Sequence, residues 1–190
     1  PNFRVFNADG NTFNEANTSY FHKSIGGYSP AKLRRYQDVI DFHMSRGLNV
    51  EVLNMLNTKY FIAPGGQVQL NVSALGHAWF VDSIHLVENP DEEILALNDF
   101  DPSSVAVVDR SRFGDVVGDF TFERDALASI RLTHYQPNKL VYKTSAETPQ
   151  FAVFSEVFYR NWRAKIDGEE IPIVRVNYIL RGLVIPEGEH

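Results

Sequence analysis

The chain of 190 residues contains no cysteine, which excludes a disulfide framework, a thiolate metal site and a cysteine nucleophile together. That absence does not fix the compartment, since proteins on either side of a bacterial membrane can lack cysteine. Long hydrophobic runs are missing as well. The longest stretch free of Asp, Glu, Lys and Arg runs from Tyr60 to Val81, and Pro64-Gly65-Gly66, Gln67, Gln69, Asn71 and Ser73 interrupt it. It is not a membrane span. No signal peptide is visible, so any targeting or anchoring signal is expected to lie in a longer chain. The opening on Pro1 rather than methionine leads to the same expectation of a fragment.

Basic charge is also short. Lys and Arg total 18 against 24 Asp and Glu, giving a formal net charge of -6. The basic residues are dispersed apart from Lys32, Arg34 and Arg35, which argues against nucleic acid as a partner. What is present is core-forming: 44% hydrophobic and 13% aromatic residues, too many for a disordered chain.

Residues 1 to 29 are polar and Asn-rich, broken by Gly26-Gly27, with one short strand expected at Phe3 to Phe6. Ser29-Pro30 offers an N-cap and a first-turn proline. Leu33, Tyr36, Ile40 and His43 follow at helical spacing up to Gly47, predicting an amphipathic helix. Asn49 can cap a second helix through Asn57, and Lys59 to Ala63 reads as a buried strand ended by Pro64-Gly65-Gly66. Ala78 to Val87 reads as one strand. Asn89-Pro90-Asp91-Glu92-Glu93 starts a helix with an acidic first turn, and Ser104 to Val108 returns as a strand, completing a β-α-β unit.

From Gly118 onward helical periodicity disappears. Strands are expected at Asp119 to Glu123, Ser129 to Tyr135, Leu140 to Ser145, Phe151 to Glu156, Trp162 to Asp167, Ile171 to Val174 and Ile179 to Ile185. Residues 136 to 139 and 167 to 170 are hairpin turns. The class is therefore α+β: a small mixed α/β lobe over 1–115, followed by an all-β, sandwich- or jelly-roll-like lobe over 116–190. Pro186-Glu187-Gly188-Glu189 is a turn of the kind that leads into another strand.

No chelating histidine pattern, nucleophile elbow, P-loop or dinucleotide fingerprint occurs, so no metal, catalytic residue or cofactor is assigned. His43 and His134 read as packing residues. Glu156 reads as an outward strand residue amid aromatics, and Arg34 and Arg35 as a solvated helix face. Arg181 stands beside Gly182, a glycine that either admits a close neighbour or marks a bulge.

Several phrases go beyond composition: residues 20 to 28 (Tyr20-Phe21-His22-Lys23 through Tyr28), Lys32 to Gln37, Asn54 to Tyr60, Ala78-Trp79-Phe80-Val81, Phe100-Asp101-Pro102, Phe158 to Ala164, Asp167-Gly168, and Asn177-Tyr178 through Arg181-Gly182. In collinear order over nearly the whole chain, they resemble the YfhO-type family of bacterial polytopic membrane proteins.

The resemblance implies a parent related to GT-C-type, lipid-linked-sugar glycosyltransferases, with this region outside the cytoplasm. In such enzymes the catalytic acid lies on an early membrane-proximal loop that is absent here, so none is carried over and the fragment itself is expected to be non-catalytic. The leading expectation is an accessory extracytoplasmic domain that positions a glycan acceptor. Its partners would be the membrane-embedded remainder of the parent and a cell-envelope glycan or lipid-linked sugar. The candidate glycan-binding residues are Tyr159, Trp162, Asn177, Tyr178 and Arg181, which combine aromatic platforms with planar polar groups. The alternative is a structural or protein-interaction domain of the same membrane protein that binds no sugar.

Overall fold

The computed structural model describes residues 2–45 and 47–190. Pro1, in the expected opening segment, and Arg46, in the expected first helix, lie outside the described residues. The chain separates into two compact units, Pro1–Gly76 and His77–His190.

The first unit is built on a three-stranded sheet. β1 (Arg4–Asn7) is followed by three helices, α1 (Asn17–Phe21), α2 (Arg34–His43) and α3 (Val50–Met55), and then by β2 (Thr58–Ala63) and β3 (Gln67–Leu70). β2 is central, parallel to β1 and antiparallel to β3. α2 buries Ile40 and His43 of the expected apolar face, together with Val39, whereas Leu33 stands just before the helix and is exposed. His43 is inside this core, its Nδ1 3.5 Å from Asn49 Nδ2.

Ser29-Pro30 does not start the helix. The Ser29 hydroxyl accepts from the amide of Ala31 in a local turn, and α2 begins only at Arg34. Asn49 does cap α3, accepting from the amides of Glu51 and Val52 at 3.1 and 3.2 Å. The unanticipated α1 has no apolar period to reveal it; the Glu15 carboxylate accepts the Thr18 amide at its start.

The second unit holds β4 (Ala78–Phe80), β5 (Ser83–Val87), α4 (Pro90–Ala96), β6 (Val105–Asp109), α5 (Arg110–Val117), β7 (Ser129–Gln136), β8 (Lys139–Ala146), β9 (Gln150–Phe154), β10 (Ala164–Ile166), β11 (Glu169–Ile171), β12 (Val174–Val176), β13 (Leu180–Ile185) and β14 (Gly188–Glu189). The class is α+β, and every element after α5 is a strand. The sheets are β12-β13-β9-β4, β14-β8-β7, β10-β11 and the parallel pair β5-β6. These pairings do not establish a jelly-roll order.

The expected single strand over residues 78–87 is two strands in two sheets. Between them Val81 donates its amide to Phe151 O and Asp82 to Ser104 O, so the chain crosses from β9 to the strand beside β6 within two residues. Asp119 to Glu123 forms no strand. There the Gln150 side chain donates to Glu123 O at 2.8 Å, and the rings of Phe120 and Phe122 stack on each other. The expected limit near residue 115 falls inside α5, within the second unit, because β6 and α4 bond forward to the β12–β13 hairpin.

One core of this unit sets Phe80, Ala152, Phe154 and Ile185, on the four-stranded sheet, against Ile130 and Tyr142 of the β7–β8 hairpin and Ile166 of β10. Tyr142 and Phe154 meet edge to face, 4.9 Å between centroids. Two layers of strands therefore face each other. His134 is exposed, not packed: a register shift between Leu132 and His134 changes the phase of the alternation, so the inward set passes from Leu132 to Tyr135. Gly182 shows no register shift. A Cβ there would lie 2.7 Å from Phe151 Cζ and from Val176 Cγ1, so the glycine admits close neighbours and is not a bulge.

Candidate functional site

A groove of about 380 Å³ opens in the second unit between β8 and β10. Its floor comes from the layer below, with Phe154, Leu183 and Ile185, and its walls from Leu140, Tyr142 and Thr144 on one side and residues 162 to 167 on the other. Strand alternation explains the apolar walls: Leu140, Tyr142 and Thr144 are successive inward positions of β8, and exposed Lys139, Val141 and Lys143 fill the outward ones. At one mouth His190 exchanges backbone hydrogen bonds with Thr144 and sets Nδ1 2.6 Å from Asp167 Oδ2. That contact holds the His190 imidazole above its ordinary range.

Two of the five expected sugar-binding residues reach this groove. Arg181 places its guanidinium 4.1 Å from the centroid of the Trp162 ring, and its Nε and Nη2 both donate to Val157 O at 3.1 and 2.9 Å. The cation is thus fixed over one face of the indole. A sugar needs a bare aromatic face, and this one is occupied. Tyr159 is 45% exposed on the turn that leads to Trp162.

Asn177 and Tyr178 lie elsewhere, 0% and 8% exposed in the loop joining β12 to β13. Both have positive φ, 49° and 67°, a conformation that side-chain-bearing residues hold only when their surroundings enforce it. Here the enforcement is visible. Asn177 Oδ1 accepts the Val107 amide, its own amide donates to Val107 O, and the Tyr178 amide donates to Glu93 Oε1.

Glu93 belongs to a buried charge cluster that the sequence reading missed. Arg175 Nη2 donates to Glu93 Oε2 and to Asp109 Oδ2, each at 3.2 Å, and all three side chains are almost wholly removed from solvent. Ser111 Oγ donates to Asp109 Oδ1 at 2.6 Å, and the Phe113 ring lies under the guanidinium. A signal was available. Glu93 sits four residues before Leu97 and next to Ile94, on the apolar face of α4, and Arg175 is flanked by two valines. With its charged groups almost wholly buried, this cluster holds hairpin, helix and strand together.

The remaining candidates resolve as surface features. Arg34 pairs with Asp38 at 2.9 Å on the exposed face of α2. Glu156 is half-buried just beyond the end of β9. Asp101 is held below the usual carboxylate range, first by the Ser103 hydroxyl and then by that of Ser104, in a turn before β6. Among the described residues, no group of three or more His, Asp or Glu side chains is placed to hold a metal ion. No family model, no curated protein and no solved structure matches the chain.

Proposed function

We propose that this chain is a non-catalytic docking domain, the extracytoplasmic part of a YfhO-type membrane protein, and that it packs against the membrane-embedded remainder of its parent rather than holding a sugar. The observation that carries this reading is the set of exposed apolar side chains on the first unit, which fall in two groups. Tyr20 and Phe21 are 83% and 73% exposed and stack edge to face, and Val68, Leu70 and Val72 stand out along and beyond the edge strand β3. Of the fifteen large hydrophobic residues exposed among those described, ten belong to this smaller unit. Grouped exposed apolar side chains mark surfaces that meet another body.

The rival reading, a domain that positions an acceptor glycan or a lipid-linked sugar, draws on exposed Tyr159 and on Trp162 at the groove.

The test places a photo-crosslinking residue at position 21 in the full-length parent. Cross-links to other segments of the parent support docking. Cross-links to lipid alone would overturn it in favour of membrane contact. In parallel, an oligosaccharide and a polyprenyl-phosphate sugar are titrated against the chain by amide NMR. Shifts centred on residues 159 to 164 at millimolar ligand would transfer the proposal to the glycan-positioning alternative. A turnover assay with the same ligands should show neither hydrolysis nor transfer.

A further inference from the structure

The groove beside β8 is bounded by two strand edges. β8 pairs with β7 from Lys139 to Ser145 on one side, but on the other only β14 covers it, opposite Ser145 and Ala146, followed by the His190 bonds to Thr144. No described strand pairs with that edge from Lys139 to Lys143. β10 pairs with β11 on one side only, and its other edge forms the opposite wall. We propose that this groove is a strand-accepting slot, and that its occupant is an extended peptide strand continuing the line of β14, antiparallel to β8 and inserted between β8 and β10.

Phase, chemistry and position agree on this occupant. Backbone groups in an antiparallel ladder alternate in direction, so the phase that turns Thr144 toward His190 turns Leu140 the same way. The two-residue hairpin at Asp167-Gly168 points Ile166 at β11 and therefore Lys165 into the slot. The incoming strand thus meets hydrogen-bonding groups on both sides. Its floor is apolar, made by Phe154, Leu183 and Ile185, so alternate residues of the occupant are apolar and face down.

β14 already makes the first rungs, and His190 touches both walls, through Thr144 and Asp167. From Thr144 to Lys139 the open edge is about 17 Å long at about 3.4 Å per residue, room for a strand of five or six residues. Filled, the upper layer becomes β7-β8-strand-β10-β11, a continuous sheet covering β12-β13-β9-β4. This is recognition by β-strand addition: main-chain bonds supply adhesion and alternate side chains supply selectivity. It concerns the second unit alone and holds whether or not the first unit docks on a membrane-embedded partner.

The experiment extends the chain past His190 by Thr-Val-Thr-Val-Thr-Val, which places the valines in phase with His190 and facing the floor. The tether raises the local concentration of the strand to the millimolar range. Hydrogen exchange at the Leu140 and Lys165 amides is expected to slow on the order of a hundredfold, since edge amides open at almost no cost whereas paired ones open only with the sheet. A control with proline in place of each threonine keeps the valines but removes the N–H groups directed at β10 and locks φ near about −65°, so the tail cannot lie as a central strand whose carbonyls accept the Lys165 amide, and Lys165 is expected to stay unprotected. Unchanged exchange at both amides would overturn the proposal. So would equal protection by the proline control, which would mean apolar filling without pairing. Sedimentation showing the unextended chain as a dimer that the extension dissociates would make a second copy the occupant and overturn the assignment made here.

Discussion

Replacing Arg175 with methionine tests the clamp that holds the β12–β13 hairpin. The methionine fills most of the space of the arginine stem but supplies no charge, so Glu93 and Asp109, both 0% exposed, face each other with no shared cation. Removing one partner of a buried ion pair costs about 3–5 kcal/mol, because it strands the remaining charge. Two carboxylates are stranded here, so the upper end applies. Against a typical total of about 5–15 kcal/mol for a native domain, such a loss is a large share.

Urea denaturation followed by tryptophan fluorescence is the assay, since both tryptophans, Trp79 and Trp162, belong to the second unit and report on it alone. The companion variant combines R175M with Glu93→Gln and Asp109→Asn. By neutralising the whole ionic set while keeping a side-chain oxygen for the Tyr178 amide, it should recover most of the loss, since the penalty comes from stranded buried charge. The non-additivity of single and combined changes is the signature of coupling. An R175M midpoint equivalent to less than about 1 kcal/mol of loss, or strictly additive effects, would refute the clamp.

Three further outcomes follow from local geometry. Gly182→Ala should cost about 1–3 kcal/mol in the same assay, because the new methyl overlaps Phe151 and Val176 and the packed strands cannot part cheaply. Tyr36 donates its hydroxyl to Ile25 O, and burial pushes its phenol up to about 12 against a weaker opposing pull from Arg4. The folded state keeps this proton longer than the unfolded chain, so the contribution of Tyr36 to stability is full below about pH 10 and lost as pH rises toward about 12; Tyr36→Phe should flatten that slope in urea midpoints. His190 is held above its ordinary value first by its hydrogen bond to Asp167 and then by the Glu187 carbonyl, so the link it makes is complete below about pH 6.5 and released as pH climbs through the raised value. NMR titration of the His190 ring in wild type and Asp167→Asn checks this, and an unchanged midpoint in the variant would remove Asp167 as the cause.

What was legible in the sequence was local. Asn49 and Asn89 announced α3 and α4 by their caps, and Asn89 accepts the amides of Asp91 and Glu92 as that grammar requires. The hairpins at Pro137-Asn138 and Asp167-Gly168 were visible in their turn residues, the second with φ of 51° and 95°. What was not legible depended on pairing at a distance. Nothing in the run from Ala78 to Val87 says that its halves serve different sheets, because each half is equally β-forming. A one-residue bulge at Thr133 reversed the reading of His134 by the same logic that made alternation useful. The five aromatic and polar residues gathered into one candidate site share a stretch of sequence but not a surface: the turn after Val176 carries Asn177 and Tyr178 into the Glu93 cluster, while β13 carries Arg181 to Trp162. Proximity along a β-hairpin is not proximity on one face.

An open strand edge above an apolar floor is a hazard, since it pairs with any extended chain that arrives. The side chains around this one limit that. Lys139 and Lys143 stand exposed on the outward positions of β8, so that side of the rim carries positive charge, whereas Lys165 on β10 lies 4.0 Å from its partner Glu170. Lysine on edge strands is a common means of discouraging sheet-to-sheet association. A flat hydrophobic strand from an unrelated chain would bring apolar side chains against these ammonium groups on its outer face. A strand with polar or acidic residues outward and apolar residues inward satisfies both levels at once. The lysines on β8 therefore favour such a strand and disfavour pairing of one copy of the chain with another. Replacing Lys139 and Lys143 together with threonine should thus leave the fold intact but promote self-association, measured as a rise in sedimentation-average mass with concentration. If the variant stays as monodisperse as the parent chain, the lysines do not guard this edge.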